Sequence, residues 1–437
     1  MRLKNVFRTL AKLGLDAWSI LYQEQEKNTL HLTNGEVETG IESVRTQAEV
    51  TVYHMYGKKM GDAKFTLFTD DETEIADKVK DALVIAGTAK KPAWPLPGKE
   101  RYARIRVADP EIVAAFADGK NEVVTLKLWN ALRRVAAKER RIALNHAELH
   151  LTRTKNTVMN SRGLKGQSEH TTLFVEIIIA ARKNGIEQEF HHALTYGRLA
   201  EFDPHVFVKE AVQAARDVVA AEEWKGMQNK GIVLRGVALR DFWAPDLTQS
   251  PIVMHANAQA KHRHLSVFAQ GRPVTRNKGF TLTSDPFVPY NPASGRFDNE
   301  GTPSRRIVLV DKGVCAGFVA NQRFAHYVGV PPTDALGVIE LALGEEDEAK
   351  LFDPGTVEIV SFSSFVPNSL SGDFSAEIRL GYKYTEKGKV PIRGVMFSGN
   401  VFRMLDAMRL SKESMTMERY KGPRTVRFDA GCHLAGF

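Results

Sequence analysis

Leu30-His31-Leu32-Thr33 recurs as Leu149-His150-Leu151-Thr152, and the run of elements after each copy restricts the fold more than any other feature of the chain. After the first copy come a turn at Asn34-Gly35, an alternating strand over 48–54, a tight turn at Tyr56-Gly57-Lys58 and a strand over about 63–67. A helix with apolar Ile75, Val79, Ala82, Leu83 and Ala86 closes the unit. After the second copy, a loop at Asn160-Ser161-Arg162-Gly163 precedes a strand over 172–181, and a turn at Lys183-Asn184-Gly185 leads into a strand over 187–194. A helix over 203–221 comes next, with Asp203 as cap and Pro204 at its first position. Four matching residues prove little; the shared order carries the inference. Strands followed by a single helix cover one face of a sheet, which predicts an α+β layer rather than alternating βαβ units.

The chain has 437 residues, more than one core usually serves, so two domains are expected. The first, over 1–222, holds the duplicated α+β unit. The second, over 223–437, is expected to be mostly β, because helical periodicity fades and short β-like runs appear at 232–234, 265–268, 306–310, 357–360 and 376–384. Helices are expected there at 321–328 and 401–410. The proline-rich stretch 90–99 reads as a connector between the two copies. Residues 1–20 carry basic side chains interleaved with Leu3, Val6, Phe7, Leu10 and Leu13, an amphipathic helix without the apolar run or cleavage site of a signal peptide.

Composition narrows the class. Two cysteines, Cys315 and Cys432, cannot build a disulfide framework, which points to a reducing cytoplasm. The longest apolar run, 173–181, is broken by Glu176 and falls short of a membrane span. The net charge of +8 raises nucleic acid as a partner, but the basic residues are scattered among 52 acids. The densest group, Arg133, Arg134, Lys138, Arg140 and Arg141, reads as the solvated face of a helix, which argues against nucleic acid.

Catalytic signatures are scarce. Gly-x-Ser-x-Gly and a Walker-type loop are absent. His262 and His264 flank Arg263; on a strand they would share one face and could meet a metal, with His255 or Cys432 as a third ligand. No carboxylate stands beside them to act as base. His191-His192 lies in a strand of alternating faces, so one ring is expected to meet solvent.

Three C-terminal blocks carry a family resemblance: Phe297-Asp298-Asn299-Glu300-Gly301-Thr302-Pro303, Ser371-Gly372-Asp373-Phe374-Ser375 and Ser398-Gly399-Asn400. In that order they resemble the TldD/PmbA (TldE) family, once called modulators of DNA gyrase and now regarded as subunits of a zinc-dependent peptidase. Catalytic members of the family carry His-Glu-x-x-x-His, which supplies two zinc ligands and a general base. The matching stretch here reads His255-Ala256-Asn257-Ala258-Gln259-Ala260, so alanines stand where the base and second ligand belong. The segment 411–418 lacks the cysteine that would be the third ligand, and Cys432 falls in the family's closing strand. The resemblance thus implies a TldE/PmbA-type subunit without metal of its own, not cleaving alone. It would pair with a zinc-bearing TldD-like chain, or with itself, around a chamber for unfolded or small peptides. Gly372, Asp373, Phe374 and Ser375 would line the groove and bind peptide. The alternatives are a stand-alone hydrolase using His262 and His264, or a basic binding module.

Overall fold

The computed structural model describes residues 1–226, 230–244, 250–333 and 336–436. Its N-terminal part runs α1 (Leu3–Lys12), β1 (Ala17–Thr33), β2 (Glu36–Tyr56), β3 (Lys59–Leu67), α2 (Glu72–Thr88), β4 (Lys91–Pro92), α3 (Pro110–Ala117), α4 (Asn121–Ala136), β5 (Ile142–Asn160), β6 (Lys165–Lys183), β7 (Ile186–Tyr196) and α5 (Pro204–Ala220). The strands form one antiparallel sheet in the order β4-β3-β2-β1-β5-β6-β7. A helix, three strands and a helix therefore occur twice, with β1 and β5 paired at the centre.

The two turns that the sequence marks most strongly have the geometry expected of them. Asn34-Gly35 (φ 52 and 79) and Asn184-Gly185 (φ 51 and 80) are two-residue turns with both residues left-handed, which matches the twist of the flanking strands. Asp71 and Asp203 cap α2 and α5 through backbone N–H groups of their first turns. The tetrapeptide match, however, is out of register. Equivalent turns begin at 57 and 184, and the centre of the β1–β5 pairing lies at Glu26↔Arg153, so the copies are offset by 127 residues. Leu30 to Thr33 correspond to residues 157–160. The two Leu-His-Leu-Thr segments instead lie against each other across β1 and β5, with Leu30 opposite Leu149.

All the long helices cover one face of this sheet. Val6 and Leu10 of α1 pack with α2 residues over Trp18, Ile20 and Val50, while Trp129 and Leu132 of α4 pack with α5 over Leu30, Leu149 and Val175. Because strand side chains alternate, Gln23, Gln25, Lys27 and His31 of β1 point to the opposite, polar face. The N-terminal helix ends at Lys12 rather than running to residue 20. Gly14 (φ 63) breaks it, and Trp18 and Ile20 are alternating core residues of β1.

The C-terminal part is mostly β. One sheet runs Val314–Cys315, Ile307–Asp311, Leu282–Asp285, Val338–Leu341, Tyr420–Pro423 and Ser414–Met417. The second runs Met408–Leu410, Thr425–Phe428, Gly231–Arg235, Thr356–Ser364, Asp373–Thr385, Gly388–Arg393 and Glu222–Glu223; Val395–Asn400 joins Asp373–Thr385 to Cys432–Gly436. Leu380 and Tyr382 reach into the N-terminal core, and the Tyr382 hydroxyl donates to Asp217 at 2.6 Å.

Three further expectations need correction. Residues 265–268 form no strand: Leu265 and Val267 are exposed, with no neighbouring strand to reward alternation. The 401–410 helix is a short one, Val401–Leu405, followed by a strand. The proline-rich stretch is no loose connector, for Lys91–Pro92 pairs with β3 and Trp94 and Leu96 are buried against Tyr53 and Met60. Part of the junction expected near 222–231 lies outside the described residues. Among the described residues no helix is long and apolar enough to cross a membrane.

Candidate functional site

The second and third blocks meet in the larger C-terminal sheet, where Asp373 pairs with Asn400, Phe374 with Gly399 and Ser375 with Ser398. A turn leads into them. Asn368 accepts backbone N–H groups of Leu370 and Ser371, and its own carbonyl accepts from Gly372 at 2.8 Å. Gly372 has φ 77, and a Cβ there would stand 2.7 Å from the Phe402 ring. Asn400 organises the other side: its amide donates to the Asp373 carboxylate (2.7 Å) and to the Ser371 carbonyl (2.8 Å), while its Oδ1 caps Val401–Leu405. The Asn400 amide, as the largest influence, holds the Asp373 carboxyl below its ordinary range.

Of the four residues read as substrate-binding, the structure exposes two side chains. Asp373 and Ser375 face outward, and Ser375 Oγ lies 2.9 Å from Ser398 Oγ. Phe374 is buried in an aromatic cluster with Phe365 and Phe397, ring centroids 5.2 and 4.8 Å away, so it supports the site from beneath rather than touching a ligand. Gly372 shapes the turn.

His255 ends the helix Pro251–His255 and is 1% exposed. Its Nδ1 accepts from the Val267 N–H at 3.1 Å and its Nε2 donates to the Leu370 carbonyl at 2.8 Å. Both nitrogens are thereby committed to backbone, and burial lowers the ring's proton affinity. Ala256 and Ala260 are packed in the interior at 0% and 2% exposure. His262 and His264 do not share a strand face: the first ends the helix Ala258–His262, the second is left-handed (φ 57), and the His262 ring rests against Tyr327. Cys432 lies opposite Gly399, its thiol pushed up to about 12 by burial. These residues do not fit the zinc site that the family's catalytic motif builds.

The first block sits elsewhere, docked on the polar face of the N-terminal sheet. The Asp298 carboxylate accepts from the N–H groups of Glu300 and Thr302, both at 2.8 Å, closing a tight turn. Gly301 (φ 83) meets Leu164 and Val158 so closely that a Cβ would stand 2.5 Å from Leu164, and Tyr102 donates to the Gly301 carbonyl. Beside this turn is a cavity of about 230 Å³, lined by Asn156, Ser168 and His170 of the sheet and by Ser294, Phe297 and Asp298. The second block does not line it. Sequence patterns gave no sign of these sheet residues, whose meeting with the loop is purely tertiary. Of His191-His192, the first is exposed and the second buried, its proton affinity lowered to about 4 by burial.

Residues 236–430 match the family model for the PmbA/TldA metallopeptidase C-terminal domain. An uncharacterised protein of Methanocaldococcus jannaschii is 27% identical over 143 residues, 29% of this chain and 33% of that relative, so the match spans about a third of its length. Among solved structures, a candidate modulator of a DNA gyrase from Thermotoga maritima aligns at TM-score 0.82 and 20% identity over 99% of each chain. TldE from Thermococcus kodakarensis aligns at TM-score 0.78 and 17% identity over 99% of this chain and 100% of that one. At these identities the solved structures establish the fold.

Proposed function

From a chain that carries a C-terminal domain of the PmbA/TldD type, we propose a non-catalytic, TldE/PmbA-like subunit of a cytoplasmic peptidase acting on unfolded or small peptides. A TldD-like chain supplies zinc and base, and this chain walls the substrate chamber; a second copy of itself is the alternative partner. The observation that carries the reading is His255. A ligand must present an unprotonated nitrogen lone pair to the metal; here the Nδ1 lone pair is taken by the Val267 N–H and the Nε2 proton by the Leu370 carbonyl. Alanine at 256 and 260 offers neither a carboxylate nor a second imidazole.

Asp373, Ser375 and Ser398 are polar and face outward, and suit hydrogen bonds to a peptide's main chain, which do not depend on the peptide's own side chains. The test is peptide turnover by this chain alone, by a TldD-like chain from the same genome, and by the two co-expressed, each with added zinc. Turnover is expected only when the TldD-like chain is present, at a higher rate or with altered selectivity in the pair. In the pair, Asp373→Ala should impair turnover while leaving the partner's zinc in place. Cleavage by this chain alone, or the absence of any complex, overturns the reading.

A further inference from the structure

β6 outruns its neighbour β7. β7 pairs with residues 173–183 only, so residues 165–172 have β5 on one side and no strand on the other. The turn at Asn184-Gly185 fixes which backbone groups face that open side. Lys183 and Ile186 flank it as a pair, so the odd residues of β6 direct their N–H and C=O groups toward the line of β7. The Arg296 guanidinium, on that side, agrees with this parity: its Nη1 donates to the Gln167 carbonyl at 3.0 Å. Past the end of β7 the edge therefore presents the backbone of Gln167, Glu169 and Thr171.

The segment 101–108 runs beside this edge without joining it. Among the described residues no backbone hydrogen bond links 101–108 to 165–172. A cavity of about 600 Å³ lies there, lined by Ile105, Arg106 and Val107, by Gln167 and Glu169, and by Lys155 of β5. Arg296 closes the Gln167 end, its Nε donating to the Ala103 carbonyl at 2.9 Å. At the other end the Thr171 hydroxyl accepts from the Asp109 N–H at 2.7 Å and donates to the Gly197 carbonyl at 3.1 Å. At about 3.3 Å per residue the edge from Gln167 to Thr171 runs about 13 Å, room for about three or four residues of an added strand.

The acids in the lining are matched within the protein. Glu169 takes the Arg153 guanidinium at 2.7 Å, and Lys155 stands directly opposite both Glu24 and Glu169 on the flanking strands. The cations are not. Arg296 spends its hydrogen bonds on neutral carbonyls, and exposed Arg106 has no ion pair. Arg101 and Arg104 precede it, and the segment holds no acid before Asp109.

We infer that this edge binds an extended acidic peptide segment of another protein, added to the sheet beside β6 in the line of β7. Main-chain bonds to Gln167 and Glu169 hold the strand, and Arg104, Arg106 and Arg296 select its carboxylates. A nucleic acid fits less well: among the described residues Tyr290 is the one aromatic side chain in the lining, and Arg198 already covers its ring at 4.7 Å. The duplication supplies a contrast. Residues 40–44 of β2, equivalent to 167–171, likewise lie beyond the pairing with β3, but Glu36, Glu38 and Glu42 there repel an acidic strand. The site lies on the N-terminal sheet, apart from Asp373 and Ser375, and does not rest on the proposed function.

The full chain is titrated into a fluorescein-labelled short peptide of alternating valine and glutamate, followed by anisotropy, with a valine–lysine peptide and a single-stranded oligothymidylate in parallel. The glutamate peptide is expected to bind, more weakly as salt rises, and to slow amide hydrogen exchange over 166–172; the lysine peptide is expected to stay free. Arg104→Glu/Arg106→Glu, which changes two exposed side chains, should weaken binding at least about tenfold. Gln167→Pro removes an outward N–H and spares the ladder to β5; it should weaken binding by about tenfold. Thermal melts establish that each variant folds, and the exchange measurement on the unaltered chain is independent of both. No binding of the glutamate peptide, binding that Arg104→Glu/Arg106→Glu leaves unchanged, binding without protection of 166–172, or equal binding of the lysine peptide or the oligonucleotide overturns the inference.

Discussion

Glu300 offers a test of how the two halves of the chain are joined. It belongs to the turn docked on the N-terminal sheet, and its Oε2 is buried without a hydrogen-bond partner. Burial first, and the neighbouring Asp298 next, push its carboxyl from the ordinary 4.5 to about 7, against the opposing pull of Lys64 and Arg323. The folded chain therefore keeps this proton to higher pH than the unfolded chain does. Its stabilising contribution is complete below about 4.5 and is lost as pH rises through about 7. At about 1.4 kcal/mol per pH unit of displacement, ionisation of Glu300 costs the fold up to about 3 kcal/mol. Glu300→Gln keeps the shape and removes the charge. Urea midpoints of wild type and variant at pH 5 and pH 8 measure the effect. The variant is expected to match wild type closely at pH 5 and to exceed it by about 1–3 kcal/mol at pH 8. A difference independent of pH, or a less stable variant at pH 8, would mean that Lys64 and Arg323 outweigh desolvation and would refute the reasoning.

Three more outcomes rest on local geometry. Gly372→Ala meets both a left-handed backbone and the Phe402 ring, so it should lower stability by about 2 kcal/mol or more in a denaturant melt. His255→Ala strands the Val267 N–H and the Leu370 carbonyl and should cost about 2–4 kcal/mol by the same melt, while the metal content of the isolated chain stays as it was. Limited proteolysis followed by mass spectrometry should spare 90–99, where Trp94 and Leu96 are buried, and cut first near Lys225, which is exposed.

The elements legible in the sequence are those fixed by local chemistry. Asp203-Pro204 starts α5, Asn-Gly pairs make two hairpins, and apolar periodicity marks α2. The full length of β1 and β5 was not legible, because alternation stops at their middles. There the helix-facing side carries Glu26, Arg153 and Glu169, with the Arg153 guanidinium 3.2 Å from Glu26 and 2.7 Å from Glu169. Arg153 is 11% exposed, and each of the two carboxylates it pairs with is 34% exposed. A polar strip inside a strand reads as a loop to any rule that expects apolar residues, yet paired charges meet the same requirement of a satisfied interior.

The repeated tetrapeptide fails for a related reason. Leu-x-Leu is what any strand shows when one face is buried, so it recurs without marking equivalence, whereas register is set by the turns and by the antiparallel pairing of β1 with β5. That same pairing decides the candidate sites. It sets His31 against Glu148 across a separation of more than 100 residues, while the helix end at His255 turns a motif-like histidine inward onto backbone. Residue type nominates a ligand, but register decides whether its lone pair is free. By that criterion His255, held at both nitrogens by backbone, and the His31 and His150 nitrogens that donate to the Glu148 carboxylate are alike committed to hydrogen bonds.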